Sequence, residues 1–69
     1  MTKMPTHIFI VLDVAEDGET ILLENEDGEE LELEMEAVRS YNPDKNWREV
    51  FTGEELVLQL PQWLVDAAT

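Results

Sequence analysis

The chain has no cysteine, so neither a disulfide nor a thiolate metal site can staple it. At 69 residues it is one domain, and one small apolar core must carry the fold, with self-association as the available help. Basic residues are scarce. Four Lys and Arg face 17 Asp and Glu, for a net charge of −13. Direct nucleic-acid binding by phosphate neutralisation needs the opposite balance, and an anionic membrane surface would repel the chain. There is one histidine, His7, and one serine, Ser40, so a nucleophilic triad has no parts to assemble from. Three isolated glycines make no phosphate-cradling loop. The longest apolar run, residues 8–12, is far too short to span a bilayer, and no signal-peptide pattern opens the chain. These absences predict a soluble, intracellular, non-enzymatic protein without cofactor or metal.

What is present is centred on residues 15–36, AEDGETILLENEDGEELELEME. Residues 15–24 and 25–34 form a ten-residue internal repeat, each copy holding an Asp-Gly followed by an apolar run. Asp-Gly between hydrophobic runs signals a hairpin, because glycine enters positive φ without steric cost. One strand plus one turn accounts for a period of ten, which is too short for a solenoid. The segment therefore predicts a three-stranded antiparallel meander. In its last strand Leu31, Leu33 and Met35 alternate with Glu30, Glu32, Glu34 and Glu36. Period two puts the apolar three on the core face and the four glutamates in water, whereas helical spacing would scatter the leucines. High charge often means disorder, but 43% apolar content with this periodicity predicts a folded chain.

The remaining chain divides around the meander, which is assigned to residues 7–36. Residues 1–6 form a flexible start closed by Pro5. Residues 7–15 (HIFIVLDVA) are a strand with Ile8, Ile10, Leu12 and Val14 on one face and His7, Phe9, Val11 and Asp13 on the other. Both faces are apolar, so the strand should be central or covered on both sides, with Phe9 and Val11 needing a cover. Residues 20–25 form the second strand. Residues 37–52 are a turn-rich connection in which residues 37–41 form a single helical turn and Asn42-Pro43 stops it. Residues 46–52 make a short strand or irregular return, with Trp47 and Phe51 as core or rim aromatics. Residues 55–60 form a final strand with Leu56, Leu58 and Leu60 inward, ended by Pro61. Residues 62–68 form a short helical turn, with Trp63 and Leu64 capping the core.

Five short strands with tight turns imply a small five-stranded antiparallel barrel of the SH3-like or OB-like kind, mainly β, with a short C-terminal helical turn. Residues 53–64, GEELVLQLPQWL, resemble the closing segment of small phage- and bacteria-encoded SH3-like barrel proteins, a G-[DE]-x-V-x-L-x-L-P-x-W-L run. The resemblance covers about a dozen residues and departs at Leu56, where the pattern has Val. It implies the barrel fold, a phage-like origin and the cytoplasm of a bacterial host, and it carries over no active-site residue.

Several chemical motifs fail on inspection. Asp13-x-Ala15-x-Asp17-Gly18-x5-Glu24 approaches a calcium loop, but Ala15 removes a ligand and the flanks read as strands rather than helices. Paired catalytic carboxylates need two unlike environments, and the strand glutamates share one. Tyr41 and Trp47, beside Arg39, Lys45 and Arg48, are candidates for an aromatic binding surface or for core filling.

The acids themselves are the best candidate site. Residues 13–36 hold twelve acids and no base. Glu24, Asp27, Glu29, Glu30, Glu32, Glu34 and Glu36 would form one dense negative face, which speeds association with a basic partner. The function this predicts is an acidic inhibitor that imitates nucleic acid and blocks a basic nucleic-acid-binding protein such as a nuclease, a CRISPR effector or a polymerase subunit. The alternative is an assembly module, or homodimer, that self-associates through apolar surface at Phe9, Val11 and residues 47–51.

Overall fold

A computed structural model describes residues 4–69. Part of the start assigned to residues 1–6 lies outside the described residues. Thr6 already belongs to a strand, and the Pro5 carbonyl accepts a hydrogen bond from the Leu60 amide at 3.3 Å. The elements run β1 (Thr6–Val14), β2 (Thr20–Glu24), β3 (Glu30–Glu34), α1 (Met35–Tyr41), a single 3₁₀ turn (Trp47–Glu49), β4 (Glu55–Gln59) and α2 (Gln62–Ala68). The strands form one open antiparallel sheet in the order β3-β2-β1-β4. The chain is mainly β with two short helices, and among the described residues the sheet has four strands rather than five.

The meander forms as its turn chemistry dictates. Gly18 and Gly28 sit at φ +72° and +82°, the region that an L side chain enters only with strain. The Gly18 amide closes the first turn on the Ala15 carbonyl at 2.9 Å, and the Gly28 amide closes the second on Asn25 at 3.1 Å. Asn25 Oδ1 also accepts from the amides of Asp27 and Glu29, so the side chain organises the second loop.

A bulge in β1 decides which residues face the core. Val11 pairs with Leu23, but Asp13 pairs with Leu22, leaving Leu12 as the extra residue. The bulge shifts the alternation by one. Phe9 and Val11 point inward before it, and Val14, opposite buried Ile21, packs inward after it. The expected grouping of Val14 with Ile8, Ile10 and Leu12 is therefore corrected. Phe9 and Val11 need no second subunit as cover: they are 1% and 0% exposed in the monomer, within one buried cluster that includes Met35 and Val38 of α1, Leu60, and Val65 of α2. Neither residue presents surface to a second copy in this fold.

Two further expectations change at the ends of elements. The strand predicted over residues 30–36 stops at Glu34, and the helix begins at Met35. The Met35 amide donates to the Glu19 carbonyl of the first turn at 2.7 Å, and Met35 and Val38 then bury at helical spacing. Glu36 thus lies in the first turn of α1, where a carboxylate suits the helix dipole. The strand considered for residues 46–52 is the 3₁₀ turn instead. Asn46 Oδ1 accepts from the Arg48 amide at 3.2 Å and caps that turn. Phe51 is 65% exposed, and Val50 takes the place beside the core.

The position a fifth strand would take at the β4 edge is partly filled by one side chain. Asn42 Oδ1 accepts from the Gln59 amide at 2.8 Å, and Asn42 Nδ2 donates to the Gln59 carbonyl at 3.0 Å. The amide plane thus imitates a neighbouring peptide group. Its Nδ2 also donates to the Val38 carbonyl at 3.0 Å, while its own carbonyl accepts from Trp47 Nε1 at 2.9 Å. Pro43 behind it forbids helical continuation, so Asn42 ends α1 with φ −134° and ψ 62°. Asn42→Ala removes three hydrogen bonds at a half-buried site. It is expected to lower stability by about 1–3 kcal/mol, read from urea unfolding, at roughly 1 kcal/mol per bond discounted for solvent access.

Candidate functional site: an acidic sheet face

The helices cover one face of the sheet and leave the other to solvent. Alternation fixes the outer set. On β2, buried Ile21 and Leu23 leave Thr20, Leu22 and Glu24 outside, and on β3, buried Leu31 and Leu33 leave Glu30, Glu32 and Glu34 outside. Register then sets neighbours. Glu24 stands opposite Glu30, Leu22 opposite Glu32, and Thr20 opposite Glu34. A directly opposed carboxylate pair is destabilising by itself. Among the described residues none of these carboxylates has a basic partner. The one ion pair among the described residues, Lys45 Nζ to Glu54 at 3.1 Å, lies elsewhere.

The seven acidic residues singled out by sequence thus split three ways. Glu24, Glu30, Glu32 and Glu34 share the outer face. Asp27 and Glu29 belong to the exposed loop joining β2 to β3, at one end of that face. Glu36 leaves the row, because its residue is helical. Along β3 the charges repeat at about 6.6 Å, two residues at roughly 3.3 Å each. Duplex DNA carries one charge per 3.4 Å of each strand. A single glutamate strand therefore reaches about half that density, and Glu24, Asp27 and Glu29 are needed to raise it.

Tyr41 and Trp47 are half-buried against the core, with Lys45 Nζ 5.9 Å from the centre of the Trp47 ring. The exposed tryptophan is Trp63, at 64%, where sequence placed a core cap. In α2 the core takes Leu64, Val65 and Ala68, which turns Trp63 outward to a shallow groove shared with Glu32, Glu34 and Ala37.

Sequence reasoning missed the apolar centre of the outer face. Ile8 and Val57 stand directly opposite each other on β1 and β4 and are 39% and 60% exposed. Ile10 lies between Glu24 on one side and Glu55 on the other. The signal was present in residues 7–15, apolar on both faces. It pointed to a second cover, but the face that lacks one is that of Ile8 and Ile10, not that of Phe9 and Val11.

Among the described residues no three His, Asp or Glu side chains converge to hold a metal ion, and no helix is long and apolar enough to cross a membrane. Comparison with protein-family models, curated proteins and solved structures finds no match to the chain.

Proposed function

We propose that this protein is a non-enzymatic binding protein that presents its acidic sheet face in place of nucleic acid, and so blocks a basic nucleic-acid-binding protein. The observation that carries this reading is the grouping of Glu24, Glu30, Glu32 and Glu34 on one outer face with no basic partner among the described residues. Two of these acids oppose each other across strands at a cost to the sheet. Solubility alone would be served as well by charges spread over the surface. A focused negative face instead raises the encounter rate with a positive groove and selects against acidic partners. The resemblance of residues 53–64 to phage and bacterial barrel proteins favours a phage-encoded inhibitor acting on a host nuclease or CRISPR effector in the bacterial cytoplasm. Tagged protein passed through a bacterial lysate is expected to retain a nucleic-acid-binding protein that excess duplex DNA displaces and that raised salt weakens, because exposed charges are screened within about 8–10 Å at physiological ionic strength. Retention of partners that salt does not release, none of which binds nucleic acid, would refute the reading.

A further inference from the structure

The outer face is not uniformly acidic, and its register specifies a pattern. Ile8 meets Val57 across the β1–β4 pair, Ile10 is flanked by Glu24 and Glu55, and Leu22 is flanked by Asp13 and Glu32. An apolar strip therefore crosses the sheet with carboxylates on its margins. Strip residues Ile10 and Leu22 are half-buried, while Ile8 and Val57 are open at 39% and 60%. A chain this short gains from burying large apolar side chains, and exposed paired ones on an uncovered face mark a surface that another element covers. A second copy of this chain would bring a second set of unpaired carboxylates against the first, at a net charge of −13 per copy. Charge complementarity selects the opposite sign.

We infer that the outer face binds a basic amphipathic helix, with apolar residues seated on Ile8, Ile10, Leu22 and Val57 and Lys or Arg side chains reaching Glu24, Glu32 and Glu55. This rests on the acidic-face reading above and adds to it the shape and chemistry of the partner. Binding by charge alone would be lost in salt. Here apolar burial supplies a part that salt does not screen, and the carboxylates set orientation and rate.

Two synthetic helical peptides of about four turns test it. One carries Leu at i, i+3, i+4 and i+7 with Lys elsewhere. The other has Gln in place of every Leu and the same charge. The expected result is binding of the Leu/Lys peptide about tenfold or more tighter than the Gln/Lys peptide, measured by calorimetry, and persisting at high salt. The double variant Ile8→Thr with Val57→Thr keeps β-branching at both strand positions. It is expected to reduce the Leu/Lys affinity to that of the Gln/Lys peptide, with unchanged circular dichroism. Equal affinity for the two peptides, both erased by salt, would overturn the inference and leave the acidic-face reading standing. Binding of neither peptide would overturn both. Concentration-dependent dimerisation that the double variant abolishes would assign the strip to a second copy and overturn the inference.

Discussion

Replacing both Glu32 and Glu34 by Lys is expected to abolish capture of a basic partner, weakening it by more than about a hundredfold, while the protein stays folded. Both residues are exposed on edge strand β3 and face Leu22 and Thr20 across the sheet, so neither substitution breaks a hydrogen bond or an ion pair among the described residues. Stability should therefore stay within about 0.5 kcal/mol of the parent, as for surface positions generally. Binding responds differently. Each substitution turns an attraction into a repulsion, and like charges brought together across an interface cost several kcal/mol, where about 1.4 kcal/mol is tenfold. Thermal melting and capture measured on the same preparation separate the two effects. Retained capture by a folded variant would remove the acidic face from the mechanism.

The second large effect lies in the core. Phe9→Ala is expected to cost about 3–5 kcal/mol, because Phe9 is 1% exposed near the middle of β1, opposite buried Leu56 of β4. A protein of this length has a total stability of roughly 3–10 kcal/mol at about 0.05–0.15 kcal/mol per residue. One truncation would thus take a third or more of it, and at the low end would unfold the chain. Urea unfolding reads this as a fall in midpoint of a few molar, with a slope of about 1 kcal/mol/M. Val57→Ala is the matched control on the opposite face, expected to cost less than about 1 kcal/mol at 60% exposure. Equal costs at the two positions would mean the faces are assigned the wrong way round.

Much of the architecture is legible in residue types. Period two in Leu31 and Leu33, the two Asp-Gly turns and the inward Leu56, Leu58 and Leu60 need only local physics, and the structure places each as expected. The stop at Asn42-Pro43 is equally local. What sequence does not show depends on partners distant in the chain. The bulge at Leu12 has no glycine to announce it, yet it moves Val14 to the core. The Met35 amide finds the Glu19 carbonyl, which ends β3 two residues early and takes Glu36 out of the acidic row. Asn42 reads as a helix stop, and nothing local tells that its side chain would occupy the edge of β4, 17 residues away. Trp63 reads as core because it is large and apolar, but helical phase gives the inward places to Leu64, Val65 and Ala68. For the candidate site, the glutamates of β3 are legible from alternation. Their joining with Glu24, and the apolar strip beside them, needs the register of the whole sheet.

If the acidic face stands in for nucleic acid, it occupies the site where a partner would bind a duplex. The direct measurement is displacement of a fluorescently labelled duplex from the captured partner as this protein is added. Stoichiometric displacement is expected from the parent and none from the variant carrying Glu32→Lys and Glu34→Lys. A stable ternary complex, with duplex and protein together on one partner, would contradict it.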